Sequence, residues 1–315
     1  MYNFIYSSSD IYAPYCITSV ASLLKNNPEL DKSCFYILSN DISASNKSKL
    51  EKICSSYEAE VKIIDCMPVI SSIFEGGGKL NFNPSSFLRI FIPQIVPGID
   101  KALFIDSDTY VCNGIKELYD IGIDNYYCAM SYNMPIYRDM LQEAQMNLND
   151  GYYNAGIILL NLKAWREDEI QKKILKFYYD NGGNFPTDDQ SVINAIVASK
   201  TFTLPYKYNA MIGTFYWSYY KFCKINTEVG NKTKSEYLEA KHKPVIVHFN
   251  GPGVRPWEKF CAHPFTSKYR KLLLEVNPEY LLGQSGKGIG YDVCQYLKHK
   301  VIDRIECSFN DTWRK

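Results

Sequence analysis

The segment Lys101–Asn113, KALFIDSDTYVCN, decides how the rest of the chain is read. Ala102 to Ile105 is a short apolar run with the length and side-chain types of a buried strand, and it stops at two carboxylates, Asp106 and Asp108. Alternate residues of an extended segment point the same way, so Asp106 and Asp108 can face one ligand while Ser107 turns aside. Two carboxylates held that close repel each other. A divalent cation between them removes the repulsion, and oxygen ligands of this kind suit Mg²⁺ or Mn²⁺. Taken alone, Asp-x-Asp is also what a strand end followed by a turn looks like, because Asp bonds locally to its own backbone.

Composition sets the outer bounds. The chain has 315 residues, of which 46% are hydrophobic and 22% charged, enough apolar material for a sizeable core in one large domain or two modest ones. The net charge of +1 arises from interspersed Lys, Arg, Asp and Glu, so no basic footprint for nucleic acid is present. Aromatic residues make up 15%, with 26 Tyr, and serve either to hold sugar rings or to fill the core. The ten Cys, at 16, 34, 54, 66, 112, 128, 223, 261, 294 and 307, include no C-x-x-C pair, and several sit inside apolar runs. They read as reduced thiols. The opening MYNFIYSSSD has neither a positive region nor an apolar one of the secretory kind, and nowhere do 18 apolar residues run together. A cytoplasmic protein is expected, and the N-x-S/T matches at Asn46, Asn231 and Asn310 then carry no meaning.

Outward from the Asp pair, strand and helix patterns alternate. Tyr2–Tyr6 predicts a strand ending at Ser7, Ser8, Ser9 and Asp10, followed by a helix through Ile17, Val20, Ala21 and Leu24. Cys34–Leu38 predicts the next strand, the cap-rich ISASN a helix start, and Val61–Ile64 a third strand. This order predicts a parallel, doubly wound sheet. Ligands of such sheets bind outside the carboxyl ends of the strands, where Ser7–Asp10 and Asp106–Asp108 both fall.

Residues 65–84, with Gly76, Gly77 and Gly78, read as a long surface loop; no G-x-x-x-x-G-K-S/T is present to make them a phosphate cradle. Arg89 is the single charge in an apolar stretch and either snorkels or meets an anion. Tyr127–Ser131 predicts a strand, and the Met-rich segment to Asp150 a flap. Gly156–Leu162 predicts an apolar strand whose entry, Asn154, Ala155 and Gly156, permits close approach to the backbone, and Lys163–Asp180 an amphipathic helix. Asp188 or Asp189 can cap the helix that begins at PTDDQ, and the pair also presents carboxylates to its positive end. PYKYNAMIGTFYWSYYKF, residues 205–222, reads as an aromatic loop, either an acceptor platform or packing under a loop. Pro244–Phe249 predicts a strand delivering His248 to its end, and in the following NGPGVRPW the amides of Gly251 and Gly253 with the Arg255 guanidinium make a phosphate site.

Together these pieces resemble the family-eight glycosyltransferases, retaining and metal-dependent enzymes that include bacterial lipopolysaccharide galactosyl- and glucosyltransferases and have glycogenin as a relative. The resemblance rests on the early βα turn, the apolar strand ending in Asp-x-Asp, NAG before an apolar strand with N-L-x-x-W-R, the DQ helix start, and H-x-x-G-P followed by R-P-W, and it covers residues 2–270. It implies the type A glycosyltransferase fold: a doubly wound, mainly parallel sheet flanked by helices, with a small C-terminal helical tail. It also implies a UDP-sugar donor and a Mn²⁺ ion, with Mg²⁺ as the alternative, held by Asp106, Asp108 and His248. Ser8, Ser9, Tyr12, Arg89, Asp106, Asn154, Ala155, Gly251 and Arg255 are the expected donor-binding residues, and Asp189 and Gln190 are expected beside the anomeric centre. Two departures stand out. Close relatives carry Asp and Asn where this chain has Ser9 and Ile11, which loosens the uridine expectation, and Arg255 stands where the family usually has Lys.

The expectation is therefore a catalytic domain over residues 1–270 that moves galactose or glucose, with retention, to a glycan or glycolipid acceptor. Residues 271–315 form the tail, where Lys298, His299, Lys300 and Arg304 beside Val301, Ile302 and Ile305 give a basic amphipathic pattern. That pattern fits peripheral contact with the cytoplasmic membrane or an ordinary packed helix. The rival readings are a phosphohydrolase with Asp106 as nucleophile, against which Tyr110 stands where that motif needs Thr or Val, and a sugar-binding protein without turnover.

Overall fold

The computed structural model describes residues 1–75, 84–134, 136, 138–146, 151–183, 185, 188–225, 233–251, 255–283, 294 and 297. Strand and helix alternate from the start: β1 (Tyr2–Ser7), α1 (Ala13–Asn26), β2 (Ser33–Ser39), α2 (Ala44–Ser56), β3 (Glu60–Asp65) and α3 (Met67–Glu75). α4 (Pro84–Phe87), a 3-10 turn over Leu88–Phe91 and α5 (Ile92–Ile95) lead into β4 (Lys101–Ile105). β5 (Thr109–Val111), α6 (Lys116–Tyr119), β6 (Cys128–Met130), α7 (Arg138–Glu143) and β7 (Ile157–Asn161) follow. The remaining elements are α8 (Leu162–Glu167), α9 (Ile170–Asp180), α10 (Asp188–Val197), β8 (Thr201–Thr203), α11 (Ile212–Tyr216), α12 (Tyr219–Ile225), α13 (Lys234–His242), β9 (Ile246–His248) and α14 (Thr266–Val276).

Seven strands form one sheet in the order β3-β2-β1-β4-β7-β6-β8, and β5 pairs with β9 in a separate ribbon. β1 to β4 are parallel, β7 runs antiparallel to both β4 and β6, and β6 is parallel to β8. The expected doubly wound, mainly parallel sheet is what forms, with one reversed strand inside it. β1 is flanked by β2 on one side and β4 on the other, so the chain changes direction between β1 and β4. The crevice for a ligand opens at that switch point.

The sheet has a hydrophobic layer on each face. Along β1, Phe4 and Tyr6 pack with Ile17 and Val20 of α1 and Leu50 and Cys54 of α2. Ile5, between them, packs on the opposite face with Phe87, Leu88 and Trp165. The period of two sends alternate residues to opposite sides, and each fully buried large apolar side chain contributes about 1.5–3 kcal/mol. Ser43 caps α2 as the ISASN segment predicts, accepting from the Asn46 amide at 3.4 Å. The described cysteines are all free thiols.

Several expectations are corrected. The loop expected over 65–84 contains α3, because the Asp65 carboxylate accepts the Met67 amide at 2.9 Å, Pro68 lies in the first turn, and Ile70 packs into the core. Gly76, Gly77 and Gly78 lie outside the described residues. The single helix expected over Lys163–Asp180 is two, α8 and α9, broken at Glu169 with φ +52°. Asn161 caps α8 on the Ala164 amide, Trp165 Nε1 fastens it to the Tyr127 carbonyl, and only a break lets Ile170 and Ile174 of α9 reach the core. Residues 205–222 are a 3-10 turn, α11 and α12 rather than a loop, with Tyr206, Tyr208, Phe215, Tyr216 and Phe222 buried. Packing accounts for most of that aromatic patch. In the flap expected before Asp150, α7 packs through Leu141 against Tyr152, while Pro135, Tyr137 and residues 147–150 lie outside the described residues.

Residue 270 falls within α14, which packs against α1. The tail pattern from Lys298 to Ile305 lies outside the described residues, and no helix among them is long and apolar enough to cross a membrane.

Candidate active site

The two carboxylates leave β4 where the sheet changes direction. The Asp106 amide extends the β4–β7 ladder by donating to the Gly156 carbonyl at 2.8 Å. Ser107 turns away, as its place in an extended segment predicts, and its Oγ donates to the Ser7 carbonyl at 3.0 Å. That bond ties the ends of β1 and β4 together. Asp108 then enters the β5–β9 ribbon: its carbonyl accepts the Phe249 amide at 2.9 Å, and Thr109 is registered opposite His248. The ribbon therefore delivers His248 to the Asp pair from about 140 residues further along the chain, a separation that follows from their numbers.

His248 Nε2 lies 3.2 Å from Asp108 Oδ1 and 3.8 Å from Asp106 Oδ2. One ligand atom from each of the three residues falls within 4.8 Å of the others. The donor set fits a divalent cation: two carboxylates to neutralise its charge and an imidazole that favours Mn²⁺ over Ca²⁺. The backbone is shaped for it as well. A Cβ on Gly156 would stand 2.3 Å from His248 Cε1 and 2.7 Å from Asp106 Oδ2, so only glycine lets the two ligands close over that strand entry.

The charges of the trio are unequal. Burial, together with the neighbouring Asp108, pushes the Asp106 carboxyl above the usual carboxylate range, although Arg89 and His248 draw it down. Burial acts on Asp108 in the same direction, but His248 and Arg255 outweigh it and hold that carboxyl low. His248 is raised above the ordinary imidazole value, because the two carboxylates overcome the burial that would lower it.

Arg89 meets anions. It is buried, and its Nη2 donates to Asp106 Oδ1 at 2.9 Å while its Nε lies 2.8 Å from Asp189 Oδ2. Nη1 donates to the Ala155 carbonyl, and the guanidinium lies 4.6 Å from the centre of the Phe104 ring. Asp189 is thus the partner of a buried cation, at the start of α10 and at the wall of the cleft. Such a pair costs several kcal/mol of desolvation per ion and holds only because each charge is matched.

Beside it stands a group of amides. Gln190 Oε1 accepts from the Ala155 amide at 3.1 Å and from Asn154 Nδ2 at 3.0 Å. Both acceptor directions of that oxygen are used, so the Gln190 NH₂ is the part that faces the cleft. A cleft of ≈ 350 Å³ runs past Asp106, Asp108, Gln190 and His248 to Asn250, Gly251 and Arg255. Gly251 has φ +127°, a conformation side-chain-bearing residues avoid. Among the described residues Arg255 Nε and Asn250 Oδ1 are buried without a hydrogen-bond partner. A second hollow of ≈ 190 Å³ continues on the β1 side, lined by Ser7, Ser8, Ser9, Tyr12, Ser85 and Ser86 with Arg89 and the Asp pair. It has the polar hydroxyl lining suited to a ribose or an amide-edged base.

The described residues expected at the site line these two hollows, which share Arg89, Asp106 and Asp108, apart from Ala155, whose backbone bonds to Arg89 and Gln190; Gly253 lies outside the described residues. Others were not foreseen. Asn209 touches His248 Nδ1 and Asn133 touches Asn154, yet each is a lone amide whose neighbours carry no motif. Ser85 and Ser86 stand just past the loop read over 65–84, where the sequence shows no pattern.

A sequence model of glycosyl transferase family 8 matches residues 3–261. A Haemophilus influenzae protein named as a glycosyltransferase is 30% identical over 267 residues, covering 83% of this chain and 74% of that one. The lipopolysaccharide 1,2-glucosyltransferase of Escherichia coli is 24% identical over 82% of this chain and 73% of its own length. The Salmonella typhimurium lipopolysaccharide 1,3-galactosyltransferase is also 24% identical, over 85% of this chain and 76% of its own. Among solved structures, the galactosyltransferase LgtC, in complex with donor and acceptor sugar analogues, superposes with a TM-score of 0.73 at 20% identity, covering 87% of this chain and 95% of that one.

Proposed function

The chain belongs to glycosyl transferase family 8, and from that premise we propose that it transfers a hexose, galactose or glucose, from UDP to a glycan or glycolipid acceptor with retention of configuration. The observation that carries the reading is the convergence of Asp106, Asp108 and His248 at the switch point of the sheet, in a cleft that Arg255 also lines. Bound there, Mn²⁺, or Mg²⁺ in its place, would supply a Lewis acid that neutralises the diphosphate as the sugar–phosphate bond breaks.

The remaining roles fall to the chain's own groups. Arg255, with an unused Nε, and the Gly251 amide would grip the diphosphate. Ser8, Ser9 and Tyr12 would hold the nucleoside in the serine-lined hollow, with hydroxyls in place of a carboxylate. Arg89 would keep Asp106 oriented as well as lining the sugar site. Asn154 and Ala155 would fix Gln190 so that its NH₂ donates to the sugar or to the departing oxygen near the anomeric carbon. Asp189 would act there through Arg89, since its carboxylate is already engaged. The expected division into a catalytic domain over 1–270 and a tail over 271–315 that touches the cytoplasmic face of a membrane is part of the same proposal. A phosphohydrolase with Asp106 as nucleophile finds no support in the family match or in the Arg89 contact.

The test is UDP release from a panel of UDP-sugars without acceptor, first with Mn²⁺ and then with EDTA. Slow release that needs the metal and one hexose is expected. Release that is indifferent to EDTA, or that is absent for every UDP-sugar, would overturn the reading.

A further inference from the structure

The amides around His248 form a chain whose polarity can be read from one end. Backbone N–H groups only donate, and two of them start it: the Ala155 amide on Gln190 Oε1 and the Gly156 amide on Asn154 Oδ1, each at 3.1 Å. Asn154 Oδ1 is therefore the acceptor, and its Nδ2 donates to Asn133 Oδ1 at 3.1 Å and to Gln190 Oε1 at 3.0 Å. Asn209 Nδ2 in turn donates to Asn154 Oδ1 at 2.8 Å. What Asn209 has left is its oxygen, and that oxygen lies 3.0 Å from His248 Nδ1. An amide oxygen can only accept, so Nδ1 carries a proton, which leaves Nε2 as the ring nitrogen whose lone pair a cation between Asp106 and Asp108 would take up.

We propose that Asn209 is the positioning residue that commits His248 to ligation through Nε2, its own orientation being set by the backbone of Ala155 and Gly156. The proposal rests on the reading of Asp106, Asp108 and His248 as a cation site. Asn209 cannot swing away: it is fully buried, the Ala210 amide bonds to the Ile246 carbonyl at 2.9 Å, and the His248 amide bonds to the Ala210 carbonyl at 3.0 Å. Nor can it turn over in place, since a flip would set its oxygen against Asn154 Oδ1, which the Gly156 amide fixes as an acceptor. The same chain ties His248 to Gln190, which lines the same cleft, so one pair of backbone amides orients both.

Outer partners of metal-bound histidines affect affinity by about 10–100-fold. The experiment is a Mn²⁺ titration of the full chain in the presence of UDP, read by the electron-spin resonance of free Mn²⁺, for the wild type, Asn209→Leu, Asn209→Ser and Asn209→Asp. Each variant is also unfolded in urea with EDTA, which reports folding apart from metal. Asn209→Leu is expected to weaken Mn²⁺ binding about 10–100-fold. Asn209→Ser, whose hydroxyl is too short to span both neighbours, should weaken it too and serves if the leucine variant does not fold. Asn209→Asp keeps an oxygen toward Nδ1 and should bind Mn²⁺ more tightly than the leucine variant, though short of wild type because its second oxygen faces Asn154 Oδ1. Wild-type affinity in a folded leucine or serine variant would overturn the proposal, as would an aspartate variant no better than leucine, which would make the residue a packing element. Failure of the wild type to bind Mn²⁺ with UDP would instead remove the cation-site reading, and the proposal with it.

Discussion

Gly156 shows how tightly single residues constrain the site. Its missing side chain is what allows His248 and Asp106 to meet, since an added Cβ would lie 2.3 and 2.7 Å from them. Gly156→Ala should therefore displace one ligand and weaken Mn²⁺ binding at least as much as loss of an outer partner, about 10-fold or more. It should also cost about 1–3 kcal/mol in urea unfolding, the ordinary penalty of overpacking. Unchanged metal affinity in that variant would show that the carboxylate and imidazole do not close over the strand entry. Reading the sequence finds this glycine as a point of close approach, and it finds Asp106, Asp108 and His248, because their chemistry is scarce and they stand at the ends of apolar runs. From its own surroundings in the sequence Arg89 is legible as a charge needing a partner, and only the resemblance marks it as a donor-site residue; the structure supplies two carboxylates, Asp106 and Asp189. Asn209 is not legible, because a single amide among tyrosines has neither periodicity nor spacing to mark it.

Elements with strong internal patterns are found from sequence, and those fixed by their surroundings are not. β1, β2 and β4 are apolar enough to stand out, and their predicted bounds differ from the observed ones by a residue or two. β5 and β8 have three residues each and exist because β9 and β6 pair with them. α3 is hidden behind glycines and prolines, and the break at Glu169 is set by where Trp165 and Ile170 must pack, which is a tertiary demand. One connection between elements is open to direct test. The Asp10 carboxylate in the β1–α1 turn accepts the Ser43 amide at 2.7 Å and Asn46 Nδ2 at 2.8 Å, joining that turn to the start of α2. These bonds, the Ser43 amide foremost, hold the Asp10 carboxyl below the usual carboxylate range. A depressed carboxylate contributes its full stability above its unfolded value and loses it as the pH falls through the folded one. Wild type should thus exceed Asp10→Ala in unfolding midpoint at pH 7, with the gap closing in acid. A gap that persists unchanged into strong acid would show that the charge plays no part.

The molecule gathers its site from segments far apart in the chain. Asp106 and Asp108 leave the sheet at its switch point, Asn154–Gly156 enter the antiparallel strand beside them, Asp189 and Gln190 begin a helix opposite, and His248 arrives on a two-stranded ribbon. Topology explains why four sequence segments with no local connection border one cleft; the strand–helix alternation predicts this for the ends of β1 and β4 alone, and the other segments are expected there only through the family resemblance. The family match over residues 3–261 places the chain in family 8, and the superposition on LgtC shows the same fold. Acceptor choice is not legible in the same way, because it belongs to surfaces whose residues serve packing as much as recognition, as in the aromatic patch of 205–222. The central claim is that the Asp106, Asp108 and His248 cluster is a cation site for a nucleotide-sugar donor. Its most direct test is the stoichiometry of Mn²⁺ bound in the presence of UDP, measured side by side for the wild type and Asp108→Ala. One tightly held Mn²⁺ per chain in the wild type, lost in the variant and at the same time as UDP affinity falls, is the expected result. Equal Mn²⁺ binding by the two proteins would contradict the assignment of that cluster.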